Sequence, residues 1–254
     1  MISRDIPYGP GERHVGDVFL PTSKATGHPV LLIHGGGWNA MSKEALESMA
    51  VVLQGAGRPV FSINYRLIRH APWPACLEDC LAAANLLLEG GLAAHGVTSS
   101  GKLGVMGVSA GGHLALMTGL GLPAEKVEHI INLAGPVHVD NVHGTNSPNL
   151  FGPRFLEQFF GQTPTPELIA QASPLSHLTP PLPPLLCMHS RGDQLVPPPH
   201  TSDIVTAWNE AGGEAKVVWF DGRGEYHGFW DSDDFAARNL LPEVAGFLAK
   251  AVNR

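Results

Sequence analysis

Short apolar runs alternate with helix-period segments along most of this chain, and that alternation limits what it can fold into. The runs lie at residues 29–33 (PVLLI), 59–63 (PVFSI), 102–108 (KLGVMGV), 127–133 (VEHIINL), 184–189 (PLLCMH) and 216–220 (KVVWF). An edge strand near 15–20 precedes them. Between them the spacing predicts helices over about 43–54, with Ser42 as N-cap, over about 74–89, and over 109–121, where Leu114, Met117 and Leu120 recur at helical intervals. Strands that alternate with helices build a mostly parallel sheet covered by helices on both faces, an α/β fold. Reactive groups in such sheets gather at the C-terminal strand ends. The 254 residues suit one α/β domain spanning 1–254, and a 44% hydrophobic composition supplies its core.

Residues 135–184 break the rhythm. They are rich in Pro, Asn, His and Phe, with short helices expected at about 154–160 and 166–171. A stretch this long between two strands is read as a small cap-like insertion, about 136–183, over the strand ends.

Two loops carry the chemistry. Gly107-Val108-Ser109-Ala110-Gly111 follows an apolar run and opens a helical segment, the strand–turn–helix context of a G-x-S-x-G nucleophile elbow. Such a turn exposes the Ser109 hydroxyl at a helix N-terminus, where free N–H groups and the dipole favour negative charge. His34-Gly35-Gly36-Gly37-Trp38 closes the run at 29–33. Successive glycines let backbone N–H groups approach a ligand closely, as an oxyanion hole requires. Gly36, Gly37 and Ala110 are the expected donors, with Gly35 as the alternative. His34 is read as a brace for the loop. Gly35, Trp38 and Phe229 are candidates for the pocket wall.

In an elbow of this type the acid and then the base follow the serine in the chain. Asp193 lies in the loop after the run at 184–189, and His227, in Tyr226-His227-Gly228-Phe229, lies after the run at 216–220. His227 would accept the Ser109 proton, and Asp193 would hold its tautomer. Of the other histidines, His138, His143 and His177 come ahead of the acid strand. His189 falls in that strand, and His200 starts a helix. Asp221 is the rival acid, and Glu225 is too near His227 to reach round to it.

The composition excludes other classes. A net charge of −7 without a basic cluster argues against nucleic acid and anionic membrane partners. No apolar stretch is long enough to span a membrane, and the first residues lack the apolar core of a signal peptide, so a cytoplasmic location is expected. Cys76, Cys80 and Cys187 cannot all pair and read as buried, reduced thiols. No Cys/His spacing resembles a zinc site, so neither metal nor cofactor is expected.

Over nearly its whole length the chain resembles the α/β-hydrolase superfamily, within it the BD-FAE-like esterases close to the hormone-sensitive-lipase-like group. The resemblance rests on Tyr8-Gly9 with Asp17 to Pro21, on His34 to Trp38, and on Asn64-Tyr65-Arg66-Leu67 with Pro72, Pro74 and Glu78-Asp79. It rests further on Gly107 to Leu114, on Ser173-Pro174-Leu175, on Asp193 with Val196-Pro197, and on His227-Gly228-Phe229. It implies cofactor-free hydrolysis of small acyl (acetyl or feruloyl-type) carboxylic esters, with a small-molecule ester as partner. Relatives resembling kynurenine formamidase cleave an N-formyl amide and typically carry an aromatic residue inside the HGG-x-W motif, where this chain has Gly37. An arylformamidase-type amidase is therefore the alternative, and a non-catalytic binding module on the same fold is a third reading. Ile68-Arg69-His70-Ala71 departs from the family pattern and is expected to border the pocket.

Overall fold

The computed structural model describes residues 1–22, 25–99, 101–147, 150–221, 227–230 and 236–251. Its strands are β1 (Ile2–Pro7), β2 (Val15–Phe19), β3 (Val30–Ile33), β4 (Val60–Ile63), β5 (Leu103–Val108), β6 (Val127–Leu133), β7 (Leu185–Ser190) and β8 (Ala215–Phe220). The helices are α1 (Glu47–Gly55), α2 (Ala75–Leu88), α3 (Ala110–Gly121), α4 (Pro153–Phe160), α5 (Pro166–Ala172), α6 (Pro199–Glu210) and α7 (Leu241–Ala251).

The strands form one sheet in the order β1-β2-β4-β3-β5-β6-β7-β8. β2 pairs antiparallel with both β1 and β4, and every pairing from β4 to β8 is parallel. This is the α/β-hydrolase arrangement. Period-2 alternation splits the core in two. Leu31 and Ile33 of β3 face the cluster packed by α2, α3 and α6, through Cys80, Leu114 and Trp208. Val30 and Leu32 face the cluster packed by α1 and α7, through Met49, Leu53, Val244 and Leu248.

The chain order explains where a site can form. β3 and β5 are neighbours, and the chain leaves β3 toward β4 on one side but leaves β5 toward β6 on the other. That reversal opens a crevice beyond the C-terminal ends of β3 and β5. The HGGGW loop follows β3, and Ser109 follows β5.

Two local expectations need correction. The sheet edge is β1, ahead of the strand expected first. Of its six residues only Ile6 is buried, so it carries no apolar alternation. Ser42 does not cap a helix over 43–54: residues Lys43–Leu46 form a short 3-10 turn, and α1 starts at Glu47. The Lys43 N–H is already taken by Asn64 Oδ1 at 2.7 Å, and the Lys43 ammonium is held by Asp5, Asp17 and Glu44. Between β6 and β7, α4 and α5 form as expected, Thr165 capping α5 by accepting from the Leu168 N–H at 3.3 Å. All three cysteines are buried and unbridged. Among the described residues no helix is long and apolar enough to cross a membrane.

Candidate active site

Ser109 sits between β5 and α3 at φ 54°, ψ −124°, a left-handed conformation costly for a residue with a Cβ. Its flanking glycines are required by contact. A Cβ at Gly107 would lie 2.0 Å from the Gly111 carbonyl oxygen, and one at Gly111 would lie 2.1 Å from that of Ile33. The elbow therefore packs strand, turn and helix closer than any side chain allows, and it holds Ser109 half-buried at the N-terminus of α3.

His227 Nε2 is 2.6 Å from Ser109 Oγ, and His227 Nδ1 is 2.7 Å from Asp193 Oδ2. The structure thus brings all three residues into one hydrogen-bonded chain. Asp193 is fully enclosed. Its Oδ1 accepts the N–H groups of Leu195 and Val196, both at 3.0 Å, and its Oδ2 also accepts from His189 Nε2 at 3.1 Å. Burial opposes the Asp193 charge, but the bonds from His189 and His227 outweigh it and hold the carboxyl below the usual carboxylate range. His189 is in turn held through Nδ1 by Thr201 Oγ1 at 2.8 Å. The rival acid is elsewhere: the Asp221 side chain is 78% exposed and pairs with Arg191 at 3.0 Å. Glu225 and Tyr226 lie outside the described residues.

The glycine loop is clamped from behind. His34 is buried, stacks on Tyr65 with ring centroids 4.3 Å apart, and donates from Nδ1 to the Gly35 carbonyl at 2.8 Å. The Tyr65 hydroxyl lies 3.2 Å from the same oxygen, and Arg13 donates to the Tyr65 carbonyl at 2.6 Å and to His34 Nε2 at 3.3 Å. The Gly36 carbonyl accepts the N–H groups of Asn39 and Ala40 at 3.1 and 3.0 Å. A trans peptide points its N–H opposite its C=O. Fixing the carbonyls of Gly35 and Gly36 therefore fixes the N–H directions of Gly36 and Gly37, away from the clamp.

Gly36 is the strict position in this loop. It has φ +98°, and a Cβ there would lie 2.3 Å from the Ala40 carbonyl oxygen. Gly36→Ala is expected to cost about 1–3 kcal/mol in backbone strain, lowering the thermal midpoint by roughly 2–10 °C. An unchanged midpoint by calorimetry would mean that the loop is held less tightly than this geometry requires.

Trp38 is buried, and its Nε1 donates to His113 Nδ1 at 3.2 Å. His113 Nε2 donates to the Ala172 carbonyl at 2.6 Å, tying the loop through α3 to the end of α5. Burial pushes both His113 and His34 down to about 4. Each ring is an acceptor at one nitrogen only while neutral. The unfolded chain titrates these rings near 6.5 and so binds more protons between about 6.5 and about 4. Stability must therefore fall as pH drops through that window, by ~2 kcal/mol per ring at pH 5 relative to neutral pH. Urea midpoints at pH 7.5 and pH 5 check this: the value at pH 5 should be lower, and equal values would rule out buried neutral rings.

Two cavities meet at Ser109. One, of about 380 Å³, is lined by Gly35, Gly36, Gly37, Met41, Leu46, Val108, His227 and Trp230. The other, of about 260 Å³, is lined by Trp38, Asn39, Ala110, Pro136, Ser147, Leu150 and Phe155. Gly37, Ser109 and Leu195 belong to both. A larger cavity of about 450 Å³ lies at the N-terminal strand ends, beside His28, Lys102 and Pro184, and touches none of these residues.

The cavity walls correct two expectations. Phe229 is buried between Phe220 and Trp230, at 5.3 and 4.9 Å between centroids, while its neighbour Trp230 forms the wall. Residues 68–71 line neither cavity. They brace the loop from outside, the Ile68 N–H bonding the Trp38 carbonyl at 2.8 Å and Arg69 the Asn39 carbonyl at 3.2 Å.

A family model described as BD-FAE matches residues 16–208. The chain is 40% identical to a kynurenine formamidase of Salmo salar over 62 residues, 24% of this chain and 21% of that one. It is 32% identical to an acetyl-hydrolase of Streptomyces hygroscopicus over 79 residues, 31% of this chain and 26% of that one. The matched stretches thus span about a quarter or less of these relatives' lengths. A truncated carbohydrate esterase from gut microbiota superposes with a TM-score of 0.84 at 21% identity, covering 100% of this chain and 97% of that one.

Proposed function

The chain belongs to the BD-FAE family, and on that premise we propose that it is a serine carboxylesterase of small acyl esters, with Ser109, His227 and Asp193 as its catalytic triad. One observation carries the reading. A strained serine at a helix N-terminus hydrogen-bonds a histidine that hydrogen-bonds a buried carboxylate, at 2.6 and 2.7 Å.

Ser109 Oγ attacks the ester carbonyl carbon while His227 Nε2 takes its proton. The carbonyl oxygen becomes an oxyanion and accepts from the N–H groups of Gly36, Gly37 and Ala110. Collapse breaks the bond to the alcohol oxygen, which leaves with the proton from His227. Water, deprotonated by His227, then attacks the acyl-enzyme and releases acid and Ser109. Asp193 keeps the His227 proton on Nδ1 and stabilises the imidazolium. The cycle uses only these groups and water. The two cavities on either side of Ser109 suit the acyl and alcohol parts of one small ester, with the insertion at 136–183 walling one of them through Ser147, Leu150 and Phe155. Three buried thiols support a reducing, cytoplasmic setting.

The partial match to a kynurenine formamidase favours a second reading, an arylformamidase-type amidase. Gly37 weighs against it. An added Cβ there would meet no atom within 4 Å, and the residue borders both cavities. The space that a side chain at residue 37 would take is open in this chain. Kinetics on acetyl, butyryl and feruloyl esters beside N-formylkynurenine separate the readings. The highest kcat/KM is expected on a small acyl ester, and a preference for the formyl amide would overturn the assignment.

A further inference from the structure

Some distance from the nucleophile, the loop after β6 and the helix α6 bring together a second set of groups. His138 Nε2 and His143 Nε2 both converge on one oxygen, Asp203 Oδ2, at 3.2 and 2.7 Å. One donor atom from each of the three lies within 4.8 Å of the others. All three side chains are partly exposed, at 27%, 18% and 39%, so an ion has access. The histidines sit on an irregular segment, while Asp203 is held by a regular helix. His200, one turn before Asp203, backs the cluster with its ring 4.8 Å from His143 and accepts the Val137 N–H at 3.3 Å.

We propose that His138, His143 and Asp203 form a binding site for a divalent transition-metal ion of the zinc class. Two imidazoles and one carboxylate suit zinc and its neighbours, whereas calcium and magnesium prefer oxygen donors throughout. Ligand atoms about 2.0–2.2 Å from a tetrahedral zinc lie roughly 3.4 Å apart. The His138–Asp203 separation is already close to that, and His143 needs to retreat by about half an ångström or a little more. On binding, each neutral imidazole carries its proton on Nδ1 and offers the Nε2 lone pair to the ion. A fourth position remains for water.

The site would act on the loop it closes. Beyond His143 the same segment reaches the acid loop: Thr145 Oγ1 donates to the Leu195 carbonyl at 2.8 Å, and the Asn146 N–H to that of Gln194 at 3.0 Å. Ser147 then lines the smaller cavity. An ion at His138 and His143 would fasten this segment to α6. The signal was invisible in sequence because Asp203 lies 60 residues beyond His143.

The test is calorimetric titration of zinc chloride into the chelator-stripped full chain, beside His143→Gln and Asp203→Asn. One zinc per chain is expected at micromolar or tighter affinity, weakened at least roughly tenfold in each variant, with a zinc-dependent rise in thermal midpoint only for the parent. Circular dichroism checks that both variants fold. No zinc binding by the parent would overturn the proposal. So would binding unchanged in both folded variants, which would assign the zinc to others of the 13 histidines.

Discussion

Ser109→Ala is expected to lower kcat on a short p-nitrophenyl ester by roughly 10⁵–10⁶ while the thermal midpoint stays within a few degrees. The magnitude follows from the role assigned to the hydroxyl. Without Oγ no acyl-enzyme forms, and His227 has no nucleophile to deprotonate across its 2.6 Å contact. The residual rate then comes from binding and the oxyanion donors acting on water. The fold should survive because Ser109 Oγ bonds only His227 among the described contacts, and alanine keeps the Cβ that the elbow already accommodates at φ 54°. Steady-state kinetics with a melting curve on the same preparation checks both halves, and unchanged turnover would sink the assignment.

The second large effect is expected from Asp193→Asn, a loss of roughly 10⁴ in kcat. Asp193 receives four donors: the rings of His227 and His189 on Oδ2, and the N–H groups of Leu195 and Val196 on Oδ1. An amide has one acceptor oxygen. If that oxygen keeps the backbone donors, its NH2 faces His227 and drives the ring proton to Nε2, where it can no longer accept from Ser109. If the amide flips, two backbone N–H groups lose their acceptor instead, costing ~1–3 kcal/mol each. Both orientations harm the enzyme, one through tautomer and one through the loop. Asp221→Asn should leave kcat within about twofold, since that side chain is exposed and pairs only with Arg191 among the described contacts. The reverse ranking in kcat would move the acid to Asp221.

The parts of the site that could be read from the chain are those written in glycine and in strand order. Gly107 and Gly111 are demanded by 2.0–2.1 Å approaches, and such local constraints leave a motif. Asp193 and His227 follow strands and so fall at the same sheet edge as Ser109. What escaped reading depends on tertiary contact. β1 has one buried residue in six and earns its place by pairing with β2. The clamp of Arg13, His34 and Tyr65 joins three segments, and although His34 and Tyr65 each stand in a motif, Arg13 stands in none. Trp38 and His113 each belong to a recognised motif, yet the bond between them spans 75 residues. At residues 229 and 230 two adjacent aromatics compete for one pocket wall, and only their orientations decide for Trp230. His138 and His143 lie close together in the chain, but Asp203 comes 60 residues after His143, on a different element.

The proposed mechanism requires that Ser109 be an activated nucleophile. Labelling with a fluorophosphonate probe, followed by intact mass and peptide mapping, tests it most directly. One adduct per chain is expected, mapped to Ser109, absent in Ser109→Ala and strongly slowed in Asp193→Asn. A chain that hydrolyses esters without labelling, or that labels equally well in Ser109→Ala, would contradict it.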